Sequence, residues 1–388
     1  MHSKLKIIIL SCLFIFSTFG IAGASSSDTN INYSRLQNCM ERAANGEELN
    51  IAFFGGSITQ GSLASSDKLT YAYHVYEWWK KNFSKAKFNY INGGIGGTTS
   101  HFGVSRVKDD LLMYNPDVVV IDFSVNDDNN NAELFQETYE GLIRNILNWP
   151  SKPAIIVLNN VYYDTGINMQ SYHNAVADYY GIPHVSIKDT IYPKIKSGNI
   201  KRIDISPDGL HPNDKGHLLV ANEIIKLLDK VKSMPNKDVM NSTLPKPLTT
   251  NTYEHTQRLN ITNSQPILNG FRADTNEKMG HLDFFKNGWT ASHVGDKITF
   301  TVDASNIAIQ YKKTIHKPAP IAKVTIDGDT ANSIILDGNF EETWGDCLYL
   351  QPILNHGINK QHTVEIEIIK ADKNIQTPFY LLSVITAK

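Results

Sequence analysis

From Leu49 to Val231, short and almost unbroken apolar runs alternate with stretches in which apolar residues recur at helical spacing. The runs Ile51–Phe54, Phe88–Ile91, Val118–Phe123, Ala154–Leu158 and Pro183–Ile187 show no polar face, which is the pattern of strands covered on both sides in a parallel sheet. Between them, Tyr71–Phe83, Val104–Met113, Ala132–Leu147 and Asn168–Tyr180 predict helices. In the third of these, Phe135, Tyr139, Leu142, Ile143 and Ile146 form one apolar stripe. A last helix places Leu218, Ala221, Ile225, Leu228 and Val231 on one face. Strand–helix alternation of this kind predicts a doubly wound α/β sandwich.

The pattern then changes. Ser233 to Pro266 is polar and holds Pro235, Pro245 and Pro247, which predicts a linker or a strap along the surface. Beyond it the period drops to two. Ile298, Phe300 and Val302 alternate with polar residues, as do Ile307, Ile309 and Tyr311, Val324 and Ile326 before the Asp327-Gly328 turn, and Val364, Ile366 and Ile368. Half-buried strands joined by turns predict an all-β sandwich. A chain of 388 residues also exceeds the ~100–200 residues of one ordinary domain, in agreement with two folding units.

Hydrophobic residues make up 41% and charged residues 20% of the chain, ordinary for a protein with a buried core. The formal net charge of −2 supplies no positive field for DNA or RNA, so nucleic acid is not the expected partner. At the N-terminus, Lys4 and Lys6 precede an apolar run from Ile7 to Phe19, and Ala22-Gly23-Ala24 has the small-x-small pattern of a signal-peptidase site. The expectation is an exported protein that starts near Ser25, with no stable membrane insertion after cleavage. The division is therefore 1–24 signal peptide, 25–232 α/β domain, 233–266 linker and 267–388 β-sandwich. Beyond the signal, the cysteines are Cys39 and Cys347; whether they pair is open. No CxxC or HExxH spacing is present, so a zinc site is not expected.

Four short blocks carry candidate chemistry. Phe53-Phe54-Gly55-Gly56-Ser57 ends a strand in a tight turn, which exposes a serine hydroxyl at the carboxyl edge of the sheet. Asn92-Gly93-Gly94-Ile95-Gly96-Gly97 follows the second strand; read as a dinucleotide fingerprint from Gly94 it would need a small residue where Thr99 stands. Glycine amides can instead face a reacting oxygen closely, as an oxyanion hole requires. Ser124-Val125-Asn126-Asp127 ends the most hydrophobic strand. In Asp208-Gly209-Leu210-His211 a carboxylate three residues before a histidine can fix its tautomer. Each block alone has a plain reading as turn or cap chemistry. Doubly wound topology, however, brings all four to one edge.

These blocks, in this order, resemble the SGNH/GDSL hydrolase family over roughly Leu49 to Val231. The resemblance implies a flavodoxin-like three-layer fold and ester hydrolysis through a Ser-His-Asp triad, with no metal and no organic cofactor. Ser57 inherits the nucleophile role, Asp208 and His211 the DxxH block, and Ser57, Gly94 and Asn126 the oxyanion hole. One departure is Gly56, where the family commonly has aspartate. An exported member with an attached sandwich resembles carbohydrate esterases that remove acetyl groups from polysaccharides, so an acetylated glycan or small ester is the expected substrate. Trp289 and Trp344 are candidates for stacking on sugar rings, or else for filling the sandwich core. His101, close behind the glycine block, is a candidate pocket residue. An O-acyltransferase with the same serine and a non-catalytic glycan-binding protein are the competing readings.

Overall fold

The computed structural model describes residues 31–235, 243–342, 344–374 and 377–388; the expected signal peptide lies outside them. The first half holds the strands β1 (Glu48–Gly55), β2 (Lys87–Asn92), β3 (Val118–Asp122), β4 (Ala154–Asn159) and β5 (His184–Ser186). Its helices are α1 (Ser34–Ala44), α2 (Ser57–Gln60), α3 (Tyr71–Asn82), α4 (Ser100–Asp110), α5 (Ala132–Leu147), α6 (Gln170–Tyr179), α7 (Ile187–Thr190), α8 (Tyr192–Lys196), α9 (Arg202–Ile205) and α10 (Asp214–Ser233). The strands lie in the order β2-β1-β3-β4-β5, and every pair is parallel.

The near-continuous apolarity of the strands follows from burial on both faces. Ile51, Phe53, Val118, Val120, Ile156 and Leu158 point to one core with α1, α3 and α10. Ala52, Phe54, Val119, Ile121, Ile155 and Val157 point to the other with α4 and α5. The expected strands and helices are all present. Helix α4 begins earlier than its apolar stripe suggested, at Ser100 rather than Val104, because the Asp127 carboxylate accepts the Ser100 N–H at 2.8 Å. Helix α1 buries Leu36, Cys39, Met40 and Ala43, a helical spacing in a stretch too polar on average to stand out.

The second half is antiparallel. It comprises β6 (Gln257–Leu259), β7 (Ile267–Asn269), β8 (Arg272–Ala273), β9 (Trp289–Ala291), β10 (Lys297–Ala304), β11 (Asn306–Lys313), β12 (Ile321–Ile326), β13 (Ile334–Asp337), β14 (Cys347–Leu354), β15 (Lys360–Lys370) and β16 (Phe379–Ala387). They form two sheets, β13-β12-β15-β10-β7 and β14-β11-β16-β9-β8, with β6 pairing β16. The alternating residues Ile298, Phe300, Val302, Val324, Val364, Ile366 and Ile368 meet Ile307, Ile309, Tyr311, Leu381 and Val384 in a shared core. Strand β16 is buried along its whole length. Its outer face packs Tyr380, Leu382 and Ile385 against Ile95 and Phe102 of the α/β half.

The polar segment that leads into the sandwich is a strap held by buried carboxylates. Glu140 accepts the N–H groups of Leu248 and Thr249, Glu137 accepts Thr250 and Thr252 hydroxyls, and Tyr253 is buried. Cys39 and Cys347 are both free thiols. No helix among the described residues is long and apolar enough to cross a membrane.

Candidate active site

The carboxyl edge of the parallel sheet assembles the four blocks. Strand β1 ends at Gly55, opposite Asp122 of β3, and the Gly56 N–H donates to the Asp122 carbonyl. The chain then turns directly into α2, whose first residue is Ser57. The Ser57 N–H therefore belongs to the first helical turn and has no intrahelical acceptor. Ser57 Oγ lies 2.8 Å from His211 Nε2, and His211 Nδ1 lies 2.7 Å from Asp208 Oδ2. Asp208 Oδ1 accepts the N–H groups of Leu210 and His211 at 2.9 and 2.8 Å. Burial alone would raise the Asp208 pKa, but the hydrogen bonds from His211 and these amides hold it below the usual carboxylate value.

The loop that presents Asp208 and His211 depends on a glycine. Gly209 has φ +82°, and a Cβ there would stand 1.9 Å from an Asp164 carboxylate oxygen. Its carbonyl accepts the Tyr163 N–H at 2.7 Å, so the loop is anchored just beyond β4. Asn213 caps the start of α10 by accepting the Gly216 N–H, which fixes the other end.

Asn126 explains the glycine before the serine. A Cβ on Gly56 would stand 2.2 Å from Asn126 Oδ1 and 3.3 Å from its Nδ2, so the amide occupies the space an aspartate would need. The Asn126 loop is pinned by its neighbour. Asp127 caps α4 with one oxygen and meets His173 Nε2 at 3.0 Å with the other; the buried His173 ring stacks on Tyr139 at 3.8 Å.

The glycine turn corrects one expectation. The Gly94 N–H donates to Asn92 Oδ1 at 2.9 Å, and a Cβ on Gly94 would strike the backbone of Gln60 at 2.3 Å. Gly94 is thus packed against α2 with its amide committed. The Gly96 amide is also taken, by Gln60 Oε1 at 2.6 Å, although its Cα faces Ser57, with a Cβ position 3.6 Å from the serine Cβ. The next residue, Gly97, has φ +68°, and its N–H has no internal partner among the described residues. The free glycine amide in the turn beside Ser57 is therefore that of Gly97.

Three further candidates separate. His101 is 3% exposed and packs edge-on to Tyr253 at 5.0 Å; burial lowers its pKa to about 4. It is a neutral packing residue under the strap and offers no surface to a ligand. Trp289 is 1% exposed, at 5.2 Å and 83° to Phe300, so no face is free for a sugar. Trp344 is the opposite case: it is 58% exposed, stands edge-on to Phe340 at 5.0 Å, and lies 3.6 Å from the Cβ position of Gly97. A loop of the sandwich half thus brings the edge of an exposed aromatic ring to the turn beside Ser57.

Sequence reasoning missed Arg106. Fully buried on α4, it donates to the carbonyls of Gly93 at 2.7 Å and Gly55 at 3.1 Å, pairs with Asp110 at 3.3 Å, and lies over the Phe54 ring at 4.1 Å. Burial lowers its pKa to about 10 against the pull of Asp110, so it stays charged at neutral pH and clamps the ends of β1 and β2 together. The i,i+4 pairing with Asp110 was the available signal. Asp122 was also missed: buried beneath the serine turn, its carboxyl is pushed up to about 7 by burial, against a hydrogen bond from Asn160. The described residues contain no group of three or more His, Cys, Asp or Glu side chains placed to hold a metal ion.

The sequence profile of the GDSL-like lipase/acylhydrolase family matches residues 53–219. Among solved structures, a two-domain esterase active on acetylated mannans is 50% identical with a TM-score of 0.90, over 92% of this chain and 96% of that one. The same kind of esterase co-crystallized with mannopentaose is 50% identical with a TM-score of 0.89, over 93% and 96%. No curated protein matches the chain.

Proposed function

The chain belongs to the GDSL-like lipase/acylhydrolase family, and from that premise we propose that it is an exported serine esterase that removes acetyl groups from a mannan-type polysaccharide. The observation that carries the chemistry is the row Ser57 Oγ, His211 Nε2, His211 Nδ1, Asp208 Oδ2, with contacts of 2.8 and 2.7 Å at its ends. His211 takes the Ser57 proton as the oxygen attacks the acetyl carbonyl, and Asp208 holds the ring and its positive charge. The oxyanion that develops is met by the amides of Ser57 and Gly97 and by Asn126 Nδ2. Return of the proton through His211 releases the sugar hydroxyl; water then cleaves the acetyl-enzyme by the same route.

In this reading those donors act on charge that grows in the transition state, so they raise turnover more than binding. Asn126→Ala is expected to lower kcat by roughly 10²–10³-fold, the usual worth of one such donor, with KM little changed. Steady-state kinetics on p-nitrophenyl acetate checks this; equal turnover would remove Asn126 from the reaction. Gly56→Asp, which installs the residue common in the family, is expected to displace the Asn126 amide and lower kcat by about the same factor. A variant as active as the parent would show that the close approach of Gly56 and Asn126 is dispensable.

The polysaccharide half of the reading is supported by the 50% identity to esterases active on acetylated mannans and by the exposed Trp344 face beside the glycine turn. Aromatic faces suit the apolar side of a sugar ring. Trp344→Ala is expected to raise KM for acetylated manno-oligosaccharides about tenfold, the equivalent of ~1.4 kcal/mol, and to leave p-nitrophenyl acetate hydrolysis unchanged. Acetate release from acetylated mannan, compared with acetylated xylan and with transfer to acceptor glycans, tests the whole proposal. Export is supported by the charged, apolar and small-residue order of the first 24 residues.

A further inference from the structure

The first turn of α10 holds more than the cap that ends the His211 loop. His217 lies in it, fully buried, and both of its ring nitrogens are engaged. The Tyr71 N–H, which opens α3 and has no intrahelical acceptor, donates to Nδ1 at 3.2 Å. Nε2 faces the Ser62 carbonyl at 3.2 Å. A carbonyl only accepts, so the ring proton sits on Nε2. Burial pushes the His217 pKa down to about 4, which keeps the ring neutral and in this one tautomer. Three residues earlier, Asp214 accepts the Ser65 N–H and the Ser65 hydroxyl in an exposed contact, both at 2.7 Å.

These contacts fall on the loop that leaves the nucleophile helix. The N–H groups of Gly61 and Ser62 both donate to the Ser57 carbonyl at 3.0 Å, so the loop continues α2 directly. From the other side, Tyr71 stacks on the His217 ring, with centroids 6.2 Å apart and planes at 17°. The Tyr71 hydroxyl lies 2.8 Å from Thr59 Oγ1 in α2. Leu63, between the two held serines, has φ +63°, a left-handed backbone that a bulky side chain disfavours. Such a conformation persists where the surroundings over-determine it. One helical turn, which begins just after the His211 loop, therefore fixes the loop at both ends.

We propose that His217 and Asp214 are positioning residues for the hydrolysis: they tie the helix that carries Ser57 to the helix that follows His211, and so set the approach of Oγ to Nε2. The inference rests on the Ser57–His211 reading given above. Neither side chain touches the reacting atoms; both act through the loop. The separation they control is the 2.8 Å across which the proton moves, and a misplacement of ~1 Å between reacting groups can cost about 10²-fold in rate.

Steady-state kinetics on p-nitrophenyl acetate, run on the full chain well below the melting temperature of each variant, test this. His217→Leu fills the site without either hydrogen bond, and should lower kcat by about 10²-fold with KM little changed. His217→Gln brings back an acceptor and a donor, and should recover most of that loss. Asp214→Ala removes the exposed pair of bonds, and should lower kcat severalfold with little change in melting temperature. A purely structural residue would lower the melting temperature and leave kcat of the folded protein alone; that result in His217→Leu overturns the proposal. So does a glutamine variant as slow as the leucine one. If neither His217 variant folds, Asp214→Ala decides, and a parent-like kcat overturns the proposal. Ser57→Ala separates the two readings. Turnover retained there means that the triad reading itself has failed, whereas turnover lost there beside parent-like kcat in the other variants sinks only the positioning role.

Discussion

Ser57→Ala is expected to abolish turnover, with kcat reduced by about 10⁶-fold, the order seen when a triad nucleophile is removed. The Ser57 hydroxyl makes its hydrogen bond to His211, and the rest of the turn is held by backbone groups: Gly56 N–H on the Asp122 carbonyl and Gln60 N–H on the Gly56 carbonyl. Deleting one oxygen therefore removes the nucleophile without disturbing α2. The variant should fold with an unchanged melting temperature, and it should still bind substrate, because the proposed oxyanion donors and the exposed Trp344 ring remain. Two readouts check it: kcat on p-nitrophenyl acetate, and the mass of the protein after treatment with an active-ester probe. The parent should gain one acyl group and the variant none. Retention of turnover within about tenfold of the parent would mean that another group attacks the ester.

Asp208→Asn is expected to cost about 10⁴-fold in kcat, through the wrong tautomer of His211. Oδ1 of Asp208 accepts two backbone amides, and an asparagine Oδ1 can keep both, so the loop should hold its shape. The change falls on Oδ2, which receives His211 Nδ1–H at 2.7 Å. An amide NH₂ in that place donates, so the ring must accept at Nδ1 and carry its proton on Nε2, facing the Ser57 hydroxyl it should deprotonate. Unaltered KM with collapsed kcat is the expected signature, and a parent-like kcat would remove the carboxylate from the mechanism. The pH dependence follows from the sign of the Asp208 shift. Its folded pKa is depressed, so its ionised, hydrogen-bonded state is kept above the ordinary carboxylate pKa and is lost only as pH falls through the lower folded value. The acid limb of activity at mildly acidic pH should therefore not come from Asp208.

Much of the architecture was legible because secondary structure leaves periodic traces. Strands with two buried faces must be apolar throughout, which marks Val118–Asp122 and Ala154–Asn159 without knowledge of their neighbours. Strands with one buried face alternate, which marks Lys297–Ala304. Strand β16 is the exception: it lies in an antiparallel sheet, yet is buried on both faces because the α/β half covers its outer side. Its period-two signal is erased by a contact that no local window contains.

The candidate site divides the same way. Chain order placed Ser57, Asn126, Asp208 and His211 at one sheet edge, because a doubly wound fold sends the end of every parallel strand there. The glycine donor was another matter. Gly94, Gly96 and Gly97 are alike in sequence, and which amide stays free is settled by Asn92 and Gln60, whose side chains take the first two. Trp289 and Trp344 are likewise the same residue type, one sealed against Phe300 and one exposed beside Gly97.

By itself, then, the sequence determined the layers, their order and the edge where the four blocks gather, since these follow from the repeat of the local backbone and from chain direction. Only the tertiary structure decided which donors are free, which aromatic faces solvent, and that Arg106 ties two turns together. Those properties are set by partners far away in sequence, whose approach depends on how whole elements pack.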